Sequence, residues 1–421
     1  MTRTWFGLHL GRILQLVCAI TTFALLFYYR EGGVKDAGIT NPGPRDVGVY
    51  IATGNAVLRG INPYETVGNR FGTVGPIPFG IIDFVVPANL TTVVFQLLNL
   101  AGILVFIRTF LQSKVKYSEY IAYFLTILFS ATREMLVTNQ ITGILMGVFA
   151  IWYSQLNRFL LNYKTKCLIS SAIAAVFLVD LKPHLFGMIL LVYFLKKRNL
   201  RIILTTISAW ISPHIFVDLT QQRILELDWL KVLFALQDQA KDGALPDAVS
   251  FWPLITLLTT WDRFSTLALM MPTLLGLIVL SVYSTKKDLI ELLPWLFLLP
   301  ATSIYFHYYD LVPALVLMIA SQLKNQSKYF PFAIGFLVIP QEITNARNLL
   351  FLIAAILSWK VLVDRVWFLR AHAIAVIGLA ISYICIHNLL SNPRLIQSWI
   401  VTESVFIAAI FIKHRTKMSK T

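Results

Sequence analysis

Apolar residues in this chain come in long, nearly unbroken runs, and short polar segments separate them. Neither the stripe of a surface helix nor the alternation of a half-buried strand dominates the pattern. A helix crosses the bilayer with about 17–25 apolar residues. The spacing predicts spans at 8–29, 91–111, 118–133, 138–156, 167–181, 183–195, 200–217, 264–284, 289–306, 308–323, 330–343, 347–363, 366–389 and 398–412. That makes about fourteen helices, or about twelve if two short pairs merge. The expected fold is all-α and polytopic, a single integral membrane domain over 1–421. An even number of crossings puts both termini on one side, and the basic tail from Lys413 assigns that side to the cytoplasm. The first apolar run follows Arg3 and Arg12 and ends at Tyr29, longer than a signal-peptide core, so it reads as an uncleaved helix.

Two long stretches break the pattern, at about 30–90 and 218–263, and parity puts both outside. Pro42, Pro44, Pro63, Pro76, Pro78 and Pro87 punctuate the first, so it cannot be one continuous helix. Its segment 77–86 is apolar but too short to span, and is expected to lie along or dip into the interface. Trp229, Phe251, Trp252 and Trp261 in the second suit the membrane surface. Loops longer than ~12–15 residues in compact proteins are usually functional or disordered, and these contain enough aromatic residues to be ordered.

Composition agrees with a membrane protein. The chain is 57% hydrophobic and only 14% charged, against about 25% charged in soluble domains. A net charge of +15 would ordinarily suggest a nucleic-acid partner. Here the basic residues form short clusters, such as Lys196-Lys197-Arg198, while acids gather in alternate loops, as Asp218, Glu226, Asp228, Asp238, Asp242 and Asp247 do. Roughly 23 of the 36 Lys and Arg fall on the cytoplasmic side, and roughly 17 of the 21 acids on the other. The charge therefore records topology, and no nucleic-acid partner is expected. Cys18, Cys167 and Cys385 are too dispersed for a metal site and read as small packing residues.

Candidate chemistry begins in the first loop, at Arg45-Asp46-Val47-Gly48-Val49-Tyr50 and Gly60-Ile61-Asn62-Pro63-Tyr64. Pro44 suits the opening of a helix, with Asp46 in its first turn and Tyr50 one turn on. Asp46 could simply offset the helix dipole. Equally, a carboxylate partly desolvated at a membrane interface makes a general base. Asp36, Glu65 and Asp83 compete, Asp83 most strongly because its segment is apolar.

Lys182-Pro183-His184 interrupts two apolar runs, and an ionisable group there points to function. Lys182 could hold a lipid-linked phosphate, or pair with Asp180 at a helix end. His307-Tyr308-Tyr309-Asp310 reads as a tight outer hairpin. There His307 could meet a phosphate with Asp310 orienting it, or Asp310 could be a capping acid beside interfacial tyrosines. Arg133-Glu134 and Asn139-Gln140 are assigned to another outer turn, where amides bind sugar hydroxyls or satisfy helix ends. Arg45, Arg223 and Arg347 are further cations for a phosphate. The sequence has no P-loop, no dinucleotide fingerprint and no zinc spacing. With no soluble domain for a nucleotide-sugar, a transferase of this kind must draw its donor from the membrane.

These motifs together resemble the GT-C membrane glycosyltransferases, and most of all glycosyltransferase family 87, a group dependent on polyprenyl-phosphate-mannose. The resemblance rests on Asp46-x-Gly48-x-Tyr50, then Gly60-Ile61-Asn62-Pro63-Tyr64, Lys182-Pro183 and His307-Tyr308-Tyr309-Asp310, in that order over roughly residues 5–320. Asn139-Gln140-Ile141-Thr142 stands where the family usually reads Gly-Gln-x-Asn, and so lacks the usual glycine and second amide. The resemblance implies a GT-C-type bundle of about 12–14 helices around an extracytoplasmic cavity. It implies Asp46 as base, and Lys182 and His307 near the donor phosphate; Arg45 and Arg347 are added as phosphate contacts on their charge alone. Tyr50, Asn62, Tyr64, Asn139, Gln140, Tyr309 and Asp310 would contact substrate.

The expected activity is inverting transfer of a hexose, mannose by resemblance, from a polyprenyl-phosphate-sugar to a glycolipid or cell-envelope glycan. It is expected at the outer face of a bacterial plasma membrane, with no cofactor or metal called for. The alternatives are a transporter or flippase of lipid-linked sugars and a glycan polymerase or ligase.

Overall fold

The computed structural model describes residues 45–66, 72–111, 118–225, 227–229, 231–232, 275, 278–279, 281–283, 289–302 and 306–325. Expected spans at 8–29, 330–343, 347–363, 366–389 and 398–412, and most of 264–284, lie outside them. So do Arg347 and the side chains of Arg45 and Asp46.

The described residues are mostly helical and contain no strand. The helices are α1 (Arg45–Leu58), α2 (Pro63–Thr66), α3 (Ile77–Val85), α4 (Ala88–Phe110), α5 (Ser118–Leu128), α6 (Ser130–Val137), α7 (Thr142–Asn162), α8 (Thr165–Leu181), α9 (Met188–Lys197), α10 (Leu200–Gln221), α11 (Leu289–Leu296) and α12 (Val312–Asn325). Among the described residues three are long and apolar enough to cross a membrane, over Leu90–Phe110, Thr142–Asn162 and Leu200–Gln221. The outer face of α10 exposes Leu204, Ile207, Ile211, Ile215, Phe216 and Leu219. Such a surface would drive association in water and is what lipid covers.

Several boundaries differ from the sequence pattern for local reasons. The expected span 118–133 is broken at Phe129, where the chain turns extended and the two halves, α5 and α6, meet at 65°. Arg133 and Glu134 consequently lie inside a helix and not in an outer turn. The run 308–323 opens with a 3-10 turn, Tyr308–Leu311, before α12. Segment 77–86 forms the nine-residue α3, roughly 13 Å long and well short of a bilayer. It packs on α1 and leaves Ile81, Phe84 and Val85 exposed.

The core is built on a close crossing of α4 and α7. A β-carbon at Gly102 would lie 2.1 Å from the Gly143 carbonyl oxygen, and one at Gly147 would lie 2.8 Å from Gly102 Cα. Without a hydrophobic drive between helices in lipid, such small-residue contacts let backbones approach and gain dispersion energy. Asn99 reinforces the crossing by accepting from the Ile144 N–H at 3.1 Å. Around it Phe106, Phe110, Phe149, Phe186 and Phe297 form one aromatic cluster, joining α4, α7, the break after α8 and the end of α11. The helix α12 packs on α4, α5 and α7. These contacts fix the two segments that carry the ionisable cluster.

Candidate functional site

The helix α8 ends at Leu181 because Pro183 has no N–H to continue the ladder. Lys182 takes a non-helical conformation, Pro183–Gly187 form a π-helical turn, and α9 resumes at Met188. Single π turns inside helices recur at functional sites. This break faces the 3-10 turn that precedes α12.

There Lys182 Nζ donates to Asp310 Oδ1. The pair is nearly sealed, with Lys182 3% and Asp310 0% exposed. Asp310 Oδ2 accepts the His307 backbone N–H at 3.1 Å and lies 3.3 Å from His184 Nε2. The Lys182 ammonium also sits 4.5 Å from the centre of the Tyr309 ring, on which the His307 ring stacks at 5.0 Å. Two segments more than a hundred residues apart thus meet as one charge cluster. A buried carboxylate is tolerated only when paired and hydrogen-bonded, and Asp310 is both.

The alternative pairing of Lys182 with Asp180 does not form. Asp180 accepts the Val74 and Gly75 N–H groups on Oδ2, at 3.1 and 2.8 Å, and the Trp210 indole N–H on Oδ1 at 2.8 Å. His214 Nε2 lies 3.2 Å from the same carboxylate. Gly72 and Gly75 allow this wrap, since a β-carbon at either would lie within 2.7 Å of Asp180 atoms. Successive side chains on a helix point in different directions, so Asp180 and Lys182 reach different partners. Asp180 fastens the end of the first loop to α8, while Lys182 serves the second cluster. The expected orienting of His307 by Asp310 acts on its backbone N–H, while its ring stacks on Tyr309.

Other expected site residues fall in three places. Asn139 and Gln140 follow α6, which packs against the Tyr308–Leu311 turn. Asn139 is 3% exposed, holds a left-handed φ of 55°, and neither of its amide atoms has a hydrogen-bond partner among the described residues. A buried orphan amide costs ~1–3 kcal/mol, and such concentrations of strain and unmet polarity mark ligand sites. Tyr50 is buried against Phe79 in the main core.

Asn62 and Tyr64 belong to a separate small cluster with Val57, Val217 and Leu225. Asn62 accepts the Tyr64 N–H at 3.0 Å, which caps the turn, and donates to Asp228 at 3.3 Å, which ties the turn to the second polar stretch. Arg223 bridges Glu65 and Asp228 beside it, at 2.6 and 2.7 Å. Asp83, the rival base, is exposed and accepts from Asn55 at 2.9 Å. The backbone of Asp46 lies in the first turn of α1.

His184, Trp210 and His214 had no role assigned from sequence. His184 lies in the polar break itself, and Trp210 and His214 are one helical turn apart, as residues sharing a partner should be. A comparison with known proteins finds no matching family model, curated protein or solved structure.

Proposed function

We propose that the protein is a membrane glycosyltransferase that uses a polyprenyl-phosphate-linked hexose, in the manner of the GT-C enzymes its motifs resemble. The observation that carries this reading is the cluster of Lys182, His184, Tyr309 and Asp310 at a broken helix. Ionisable groups so placed within a membrane bundle usually meet a polar ligand. The lipid tail would remain between helices and only the head group would need polar partners. Asn139, with a donor and an acceptor unpaired, offers the two bonds that neighbouring sugar hydroxyls can make.

In this scheme the Asp46 carboxylate takes the proton of the acceptor hydroxyl. The acceptor oxygen bonds to the anomeric carbon from the face opposite the phosphate. The carbon–oxygen bond to phosphate breaks, and its electron pair leaves with the lipid phosphate, a weak base needing little acid assistance. Cationic donors beside the phosphate stabilise the charge that develops there. The mannose identity, the outer-face site and the glycolipid or envelope-glycan acceptor belong to the same proposal.

A transporter or flippase of lipid-linked sugars is the second reading, favoured by the discontinuous α8–α9 helix, since broken helices line transporter sites. One experiment separates the two. Purified wild type, Asp46→Asn and Asp83→Asn are incubated with radiolabelled polyprenyl-phospho-mannose and a membrane lipid extract. The proposal expects label in a new product with wild type and Asp83→Asn, and a loss of ~100-fold or more with Asp46→Asn. Transfer surviving in Asp46→Asn moves the base elsewhere. A folded wild type that transfers no sugar from mannose or arabinose donors removes the enzyme reading.

A further inference from the structure

We propose that Asp180 is a positioning residue, which sets where α1, and with it Asp46, lies against the polar break at the end of α8. The role of Asp46 in this proposal rests on the glycosyltransferase reading.

Transfer of that kind needs two parts at a fixed separation, a base for the acceptor and a cluster for the phosphate. An error of ~1 Å between such parts costs ~100-fold in rate. Here the two come from distant stretches of sequence. The ionisable cluster begins at Lys182, directly after α8. Asp46 belongs to the first turn of α1. Asp180 is the side chain that reaches between these stretches.

Asp180 is 3% exposed. Its Oδ2 accepts the Val74 and Gly75 N–H groups at 3.1 and 2.8 Å, and its Oδ1 accepts the Trp210 indole N–H at 2.8 Å. His214 Nε2 lies 3.2 Å from Oδ2, and the Asp180 backbone carbonyl accepts the Gly72 N–H at 2.8 Å. A carboxylate so enclosed does not meet an acceptor hydroxyl, so Asp180 is no rival to Asp46. Its work is to hold the chain at 72–75.

From Gly75 the chain passes at once to Pro76, on which α1 rests. A β-carbon at Gly54 of α1 would lie 2.3 Å from the Pro76 carbonyl oxygen and 2.7 Å from the Gly80 nitrogen of α3. Asp46 lies about two turns earlier on the same helix. Gly75 is equally close on its other side, where a β-carbon would lie 2.7 Å from Asp180 Cβ and 2.9 Å from Leu181 Cγ. Contacts this tight transmit displacement, because packed backbones have no slack to absorb it. Trp210 and His214 lead to α1 by a second route. Further along α10, Val217 packs with Val57 of α1, and Gln221 donates to the Val57 carbonyl at 3.4 Å. The segment 180–182 thus fixes both parts from one point of the chain, with Asp180 turned toward α1 and Lys182 toward Asp310.

The test uses full-length protein in mixed micelles. Asp180→Asn keeps the size and turns one acceptor oxygen into an NH2 group that faces N–H donors. Gly75→Ala forces the same joint apart from the loop side and leaves the carboxylate in place. Calorimetric titration with polyprenyl-phospho-mannose gives the donor Kd and counts the competent molecules. Radiolabelled donor and the membrane lipid extract then give kcat per competent molecule. In Asp180→Asn that kcat should fall ~10–100-fold while the donor Kd stays within ~3-fold. Gly75→Ala should show the same split, which assigns the loss to position and not to the field of Asp180 on the Lys182 cluster. If Asp180→Asn does not fold, Gly75→Ala and Trp210→Phe, which loses one donor and keeps a ring, read the same two quantities. A residue that only stabilised the fold would lower the count of competent molecules and leave kcat for each of them unchanged.

Hydrogen exchange reads the placement without sugar transfer. In the variants, protection at 47–57 and 72–80 should fall together, by ~10-fold or more in Asp180→Asn, while α7 keeps its protection. Unchanged kcat per competent molecule in the folded variants, a loss carried by the donor Kd, or protection that falls at 72–80 and not at 47–57 overturns the proposal. A wild type that transfers no sugar counts against the transferase reading alone, and the exchange pattern then still decides whether Asp180 places α1.

Discussion

Replacing Lys182 with methionine removes a charge from a sealed pair while keeping most of the aliphatic stem. Opposite charges ~4 Å apart attract by about 4 kcal/mol at an effective dielectric of ~20. Both partners give up hydration to gain it, so the pair adds little net stability while intact. Breaking it is different, because Asp310 at 0% exposure is stranded without a cation. Such stranding costs ~3–5 kcal/mol. Asp310 keeps the His307 N–H and His184, so the lower end, about 3 kcal/mol, is expected here. Lys182→Met/Asp310→Leu removes both charges and should recover most of that loss. A residue of ~1 kcal/mol should remain, because Asp310 also caps the turn at His307. Reversible unfolding of wild type, both single variants and the double variant in mixed micelles gives the coupling free energy. A Lys182→Met loss under ~0.5 kcal/mol, or a double variant as unstable as the two singles summed, would refute the burial argument.

Three further outcomes follow from the geometry. Gly102→Ala places a methyl 2.1 Å from the Gly143 carbonyl, and the same unfolding measurement should find a loss of ~1–3 kcal/mol or more. Asn139→Gly relieves a left-handed residue and removes an orphan amide. It should raise stability by ~1 kcal/mol while lowering sugar transfer, and a variant unchanged in both would remove Asn139 from the site. Asp228 is held below the ordinary carboxylate range by its bond to Lys231, against the opposing effect of burial, and then by Arg223. Its folded value is depressed, so its contribution is present above the unfolded value and lost as pH falls through the folded one. Hydrogen-exchange protection around Asn62 and Glu65, taken relative to the intrinsic exchange rate at each pH, should therefore hold through neutral pH and fall only in acid below the usual aspartate range; a loss of protection between pH 5 and 8 would contradict this.

The apolar runs made the long helices α4, α7 and α10 legible, because a bilayer-length stretch needs no tertiary information. Breaks within runs were less so. Phe129 carries no proline or glycine signal, yet the chain bends there, where α6 packs against the 308–311 turn. Pro183 did announce its break. The ionisable residues on either side of it were visible as unusual, but their partners were not. Asp180 and Lys182 are neighbours in sequence and look like a pair, while their real partners lie at 74–75, 210 and 310. Long-range pairing is set by how helices cross, which depends here on glycines such as Gly102 and Gly143 that read as unremarkable within an apolar run. The motif around Asn62 likewise did not disclose its long-range partner, Asp228, which lies in the other polar stretch.

A lipid-linked phosphate is proposed to bind where α8 breaks. Photolabelling tests it most directly, with a polyprenyl phosphate bearing a diazirine on its first isoprene unit, followed by digestion and mass spectrometry of the purified protein. Label is expected on peptides spanning 181–188 and 306–311, competed away by unlabelled polyprenyl-phospho-mannose. Label confined to the exposed apolar face of α10 or α3, or unaffected by the competitor, would contradict it.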